Sequence, residues 1–182
     1  MVNDMTTRII FAGSGGQGIQ FSGKLMAKTG MHFGKNVTFL PSYGPEMRGG
    51  TSNCTVVISD EEIGSPSTNT PDMLVAMNLP SFDKFEPRVQ PGGIMFCDST
   101  LVGKQSSRED IRCEYIPATG MANDNDLFGF ANVIMLGYIL RVTKIFDFEE
   151  FKKFLISAIP ASKSALVEKN EKALELGYSY KA

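Results

Sequence analysis

Ile9-Ile10-Phe11-Ala12-Gly13-Ser14-Gly15-Gly16-Gln17-Gly18 joins an apolar run to a glycine-rich turn, and a helix-like stretch follows. That is the pattern of a strand-to-helix connection in an α/β sheet. Gly13, Gly15 and Gly18 have the G-x-G-x-x-G spacing, which serves a tight turn, close backbone approach to a ligand, and close helix packing. Exposed N–H groups at the helix start attract phosphate or carboxylate through hydrogen bonding and the helix dipole. Gly13, Gly15, Gly16, Gln17 and Gly18 are therefore candidate anion-binding residues. Contact with a partner subunit and a purely structural turn stay open beside that reading.

Two nucleotide readings fail on what comes next. A Rossmann site for NAD needs an acidic residue about 20 positions on, at the end of the second strand, to hold the ribose hydroxyls. The expected second strand, residues 36–40, runs into Pro41-Ser42-Tyr43, and no Asp or Glu stands between Asp4 and Glu46. No Arg stands at that strand end to receive the 2′-phosphate of NADP. Gly18 to Lys24 has the G-x-x-x-x-G-K spacing, but Leu25 replaces the Ser or Thr that would ligate magnesium. The turn suits another anion or a protein surface.

A second unusual stretch begins at Pro41-Ser42-Tyr43-Gly44-Pro45-Glu46-Met47-Arg48-Gly49-Gly50 and runs to Asn53. Prolines stiffen it, glycines permit tight backbone, and Glu46 and Arg48 place opposite charges on it. Ligands of open α/β sheets gather beyond the carboxyl ends of the strands, where this loop and the glycine turn both fall. Arg48 is the candidate clamp for a carboxylate or phosphate. Tyr43, Pro45, Glu46, Arg48 and Gly49 are the candidate loop or interface residues. The alternative is a surface loop whose charges face water.

Further strands are expected at 7–13, 53–59, 73–77, 94–97 and 112–116. Helices are expected at 17–33, 80–86, 127–142, 148–157 and 162–176, with Gly34 capping the first and Gly177 closing the last. Asp147 and Glu150 form a capping box. Strands alternate with helices early and helices cluster late. The expected fold is a single α/β domain over 1–182, a three-layer α/β/α sandwich around a mostly parallel or mixed sheet, with a Rossmann-like N-terminal βαβ unit.

Composition removes several function classes. A net charge of −2 argues against nucleic-acid binding, and no segment is long and apolar enough to span a bilayer, so the expected localisation is cytoplasmic. His32 is the only histidine, which leaves no Ser-His-Asp triad and no His-based metal site. Cys54, Cys97 and Cys113 form no C-x-x-C pair and are expected to be inert core thiols.

The two glycine-rich stretches together, with Asp72-Met73-Leu74-Val75-Ala76-Met77-Asn78-Leu79-Pro80 and the C-terminal Asn170, Ala173 and Gly177, resemble the gamma subunit of 2-oxoacid:ferredoxin oxidoreductases. The resemblance runs along nearly the whole chain. It implies a subunit, inactive alone, of an enzyme that oxidatively decarboxylates a 2-oxo acid to an acyl-CoA and passes two electrons to ferredoxin. It implies thiamine diphosphate, Mg²⁺ and iron–sulfur clusters in the complex, carried by alpha and beta subunits or a small delta subunit, and CoA as co-substrate. No residue of this chain is implied to be catalytic or to bind metal. Pro45-Glu46-Met47-Arg48-Gly49-Gly50 resembles the 2-oxoglutarate and branched-chain members more than the pyruvate type. Alternatives are the smaller subunit of indolepyruvate oxidoreductase and a stand-alone nucleotide-binding module.

Overall fold

The computed structural model describes residues 6–42 and 51–181 of the chain. Strand β1 (Thr7–Gly13) alternates Ile9 and Phe11 toward one face and Ile10 and Ala12 toward the other, and all four are buried. A strand buried on both faces belongs at the centre of a sheet covered on both sides. The sheet order is β2-β3-β1-β4-β5-β6, with β2 (Asn36–Ser42), β3 (Ser52–Ser59), β4 (Met73–Ala76), β5 (Ile94–Asp98) and β6 (Arg112–Ile116). Strands β1, β4, β5 and β6 are mutually parallel, and β3 runs antiparallel to both neighbours.

The antiparallel β3 is inserted into the N-terminal βαβ unit. β3 lies between β1 and β2, so the two strands joined by the first helix are parallel but not adjacent. The reason is chain length. Only residues 43–51 separate β2 from β3, and a parallel crossover needs a dozen or more residues, so the chain returns as an antiparallel neighbour.

Helix α1 (Ile19–His32) covers the first face of the sheet. It ends as expected: the N–H groups of Gly34 and Lys35 close on the carbonyls of Met31 and Gly30, each at 3.0 Å. Helices α5 (Ala131–Thr143), α6 (Phe148–Ser157) and α7 (Val167–Ser179) complete that layer. On the second face α2 (Leu79–Phe85) sets Phe82 and Phe85 against Ile10, Ala12, Leu74 and Ala76. The connection from β1 crosses one face and the connection from β4 crosses the other. The crevice between their carboxyl ends is thus a topological switch point.

Two short helices escape sequence periodicity, α3 (Ser99–Val102) and α4 (Ala118–Asp124). Each buries only one or two residues, too few to show a 3.6-residue repeat. The helix expected from 127 starts at Ala131 instead, because Asp126 and Gly129 adopt positive φ of 57° and 86° and break the pattern. Residues 161–166 form a 3-10 turn ahead of α7. Asp147 caps α6 by accepting from the Glu150 N–H at 3.0 Å, while the Glu150 carboxylate pairs with Lys153 rather than closing the box.

Gly177 is not a cap. Helix α7 runs through it to Ser179, and the residue lies where α7 crosses α5. A Cβ at Gly177 would stand 1.8 Å from the Ile134 carbonyl oxygen, and one at Gly137 would stand 2.1 Å from that of Leu174. The two glycines let the backbones of α5 and α7 touch. From Asn132 to Leu140, α5 is buried on every side, between the sheet and α7.

Candidate functional site

The glycine turn leaves β1 at the carboxyl edge of the sheet. Ser14, Gly15 and Gly16 are exposed, and the N–H groups of Gly15 and Gly16 meet no acceptor among the described residues. Gly16 and Gly18 have φ of 87° and 72°, a region that side chains disfavour, which explains glycine at both places. Gly18 also has Asn132 pressed against it: a Cβ there would lie 2.5 Å from the Asn132 side-chain nitrogen.

Gln17 acts as an internal brace. Its Oε1 accepts from the Ser14 N–H at 2.6 Å, and its Nε2 donates to the Met77 carbonyl at 2.9 Å. Asn78 Nδ2 donates to Ser14 Oγ at 2.6 Å while Asn78 Oδ1 accepts from the Ser81 N–H, capping α2. The β1 and β4 ends of the switch-point crevice are thereby tied together. Gln17 also occupies one N–H that an anion in the turn would use, so Gly15, Gly16 and the start of α1 carry the remaining donors.

Two residues that sequence reasoning passed over complete the surroundings. Asn132, at the start of α5 and 6% exposed, donates from Nδ2 to Ser22 Oγ at 3.1 Å and to the Gly18 carbonyl at 3.4 Å. Asp98 ends β5 with no exposure at all, and accepts from the N–H groups of Thr100 and Thr119 and from the Thr119 hydroxyl. It thereby anchors the start of α4. A parallel strand ending in Asp is a weak signal, and nothing local to Asn132 marks its role.

These anchors frame two clefts. One, of about 190 Å³, lies between Gly16 and Gln17 on one side and Leu101, Thr119 and Ala122 on the other. The second, of about 410 Å³, lies on the other side of Asn132 among Gly18, Phe21, Phe130, Lys163 and Asn170. Gly13, Gly15, Gly16, Gln17 and Gly18 are thus together at one crevice. Tyr43, Pro45, Glu46, Arg48 and Gly49 lie outside the described residues. The residues flanking that stretch, Ser42 and Ser52, stand at the same edge as the turn, since Ser42 pairs with Asn53 and Gly13 with Ser52.

Cys54 and Cys97 are buried in the core and Cys113 is half-buried. Burial pushes the Cys54 thiol up to about 12, and it raises Cys97 and Cys113 as well. A raised thiol pKa means less thiolate at a given pH, hence low reactivity. At pH 8 a disulfide reagent should modify the native chain slowly, and all three thiols should react promptly after unfolding. Three fast native thiols would contradict the core placement. Between pH 9 and 12 the unfolded Cys54 loses its proton and the folded one keeps it, so stability should fall as pH rises through that window. Among the described residues, no cluster of His, Cys, Asp and Glu is arranged to hold a metal ion, and no helix is long and apolar enough to cross a membrane.

Residues 8–180 match the family model described as pyruvate ferredoxin/flavodoxin oxidoreductase. The chain is 38% identical over 170 residues to the ketoisovalerate oxidoreductase subunit VorA of Methanothermobacter thermautotrophicus; the match covers 93% of this chain and 35% of that relative. It thus spans about a third of that longer protein. The 2-oxoglutarate synthase subunit KorC of Methanocaldococcus jannaschii is 35% identical over 177 residues, covering 96% of this chain and 93% of that one. Among solved structures, the gamma subunit of a keto/oxoacid ferredoxin oxidoreductase from Geobacter sulfurreducens superposes with a TM-score of 0.81 at 31% identity, covering 94% of this chain and 96% of that chain.

Proposed function

The chain belongs to the pyruvate ferredoxin/flavodoxin oxidoreductase family, and from that premise we propose that it is the gamma-type subunit, a single domain over residues 1–182, of a multisubunit 2-oxoacid:ferredoxin oxidoreductase. The observation that carries this reading is the end-to-end match, at 93% or more of both chains, to a subunit of 2-oxoglutarate synthase. The assembled enzyme would convert a 2-oxo acid and CoA to an acyl-CoA, CO₂ and a proton, with two electrons passed to ferredoxin. Thiamine diphosphate, Mg²⁺ and iron–sulfur clusters would reside in alpha, beta or delta partner subunits. The Cys54 and Cys97 thiols are withdrawn into the core with their pKa values raised by burial, a poor chemistry for cluster ligation. The complex would be cytoplasmic.

2-Oxoglutarate is the substrate we favour, because the relative matched over 93% of its length is named for that acid. A branched-chain 2-oxo acid is the second reading, favoured by the 38% identity to the ketoisovalerate subunit. Within the complex, the glycine turn would offer the N–H groups of Gly15 and Gly16 and the positive end of α1, and Arg48, which falls between Ser42 and Ser52 in the sequence, would add a positive charge. Together they suit the phosphates of CoA at the entrance to the active site.

Affinity capture of the tagged chain from its native cells under anaerobic conditions should recover larger partner chains and 2-oxoacid-dependent reduction of a viologen dye. A panel of 2-oxoglutarate, ketoisovalerate, pyruvate and indolepyruvate then names the acid. Capture of the chain alone, without activity, would sink the subunit reading. In the assembled enzyme, Arg48→Ala should raise the KM for CoA about 10-fold or more, the scale of one charge-assisted hydrogen bond. An unchanged KM would turn the loop from CoA binding to subunit contact.

A further inference from the structure

The end of the sheet opposite the glycine turn carries a separate cleft. Arg112 opens β6 and pairs in register with Ile94, the first residue of β5, which places it at the amino ends of the parallel strands. There Arg112, Glu114, Tyr138, Arg141, Val142 and Tyr180 line about 410 Å³. Strand β6 supplies the first two, α5 the next three, and the residue capping α7 the last.

The charges of this cleft do not cancel. Arg112 Nε donates to Glu114 Oε1 at 2.7 Å, and Arg112 Nη2 lies 2.6 Å from the same oxygen. The Tyr138 hydroxyl donates to Glu114 Oε2. Arg112 and Glu114 therefore neutralise each other, and both carboxylate oxygens are engaged. Arg141 stands apart. Its Nη1 is buried without a hydrogen-bond partner, and the partly buried side chain makes no ion pair among the described residues. Buried polar groups are almost always paired, and a partly buried charge without a counter-charge is the costly exception. Tyr138 and Tyr180 meet edge to face, with ring centroids 5.4 Å apart, and with Val142 give the cleft an apolar wall.

We propose that this cleft binds an organic monoanion through its carboxylate, held by the Arg141 guanidinium beside the Tyr138–Tyr180 wall. The Nε–Nη2 edge of a guanidinium matches a carboxylate in bidentate geometry, and those two nitrogens of Arg141, unlike Nη1, are not among its buried atoms. Among the described residues Arg141 leaves one uncompensated positive charge, which a monoanion neutralises and a phosphate dianion exceeds. The aromatic and aliphatic wall favours a carbon body over a bare inorganic ion. The carboxylate can come from a free organic acid or from an Asp or Glu side chain of a partner subunit, with the same chemistry at Arg141.

Thermal unfolding of the full chain alone tests the site, with saturating propionate as the probe and chloride and phosphate at equal ionic strength as controls. At about ten times its Kd, propionate should raise the wild-type Tm by about 3–6 °C. Phosphate should act less and chloride not at all. Arg141→Met should unfold no lower than wild type without additive, since it removes an unpaired charge, and should ignore propionate. Arg141→Lys should keep a reduced response. A propionate response that is absent in wild type, or equal in Arg141→Met, overturns the site. Once the response is found, capture from native cells separates the sources. Loss of partner chains from Arg141→Met identifies a partner carboxylate, and full retention identifies a free acid.

Discussion

Gly177→Ala is expected to destabilise the chain by about 3 kcal/mol, the upper range for overpacking a well-fitted interior. The added methyl would start 1.8 Å from the Ile134 carbonyl oxygen and 2.7 Å from its carbon. Ordinary C···O contact is about 3.3 Å or more, so α5 and α7 must part by more than about 1 Å. Neither side can yield by rotating a side chain, because the obstruction is backbone. A gap of that size forfeits a quarter to a half of each dispersion contact along the crossing. Alanine's better helix propensity, about 1 kcal/mol, opposes this and is too small to reverse it. In a chain of this size the loss is roughly 6–12 °C in Tm. Gly137→Ala should cost a similar amount against the Leu174 carbonyl. The double variant should cost less than the sum, because one separation of the helices relieves both clashes. A Tm within 2 °C of wild type for Gly177→Ala would refute the close crossing.

Asp98→Ala should cost about 3–5 kcal/mol, because it strands several buried donors at once. The carboxylate has no exposed surface, and it receives the Thr100 N–H at 3.1 Å, the Thr119 N–H at 3.2 Å and the Thr119 hydroxyl. Removing it takes away the N-cap of α3 and the anchor of α4 together. Asp98→Asn keeps one acceptor oxygen but turns an NH₂ toward groups that are themselves donors, so about half the loss should remain. Thr119 and Ala122 line the smaller cleft beside the glycine turn, so the same substitution should weaken whatever that cleft holds. Urea unfolding of the three proteins measures the series. A cost below about 1 kcal/mol for Asp98→Ala would show that water replaces the carboxylate, and the anchoring role would fall.

The candidate site was half legible before folding. Gly13, Gly16 and Gly18 announce a turn because positive φ and close approach are demands on single residues, and glycine answers them locally. Gln17 could be placed in the turn but not as its brace, because its acceptor is the Met77 carbonyl, 60 residues away. Asn132 was invisible for the same reason, being 114 residues from the Gly18 carbonyl it meets. Among the helices, those of ten residues or more showed themselves in the sequence, α5 as an apolar run rather than through a period. The short α3 and α4 did not, since they owe their existence to Asp98 and to packing rather than to amphipathicity.

What the sequence by itself determined is local: which stretches are strands and which are long helices, and where the chain must turn. Alternation and the 3.6-residue repeat are properties of one segment, so they can be read from one segment. The tertiary structure alone decided the insertion of β3 between β1 and β2, the use of Gly177 for a helix crossing in place of a helix end, and a charge at Arg141 that no described residue compensates. Each of these depends on which segments become neighbours in space. That choice follows from closing short connections and burying apolar faces across the whole chain, and a single segment carries no record of it.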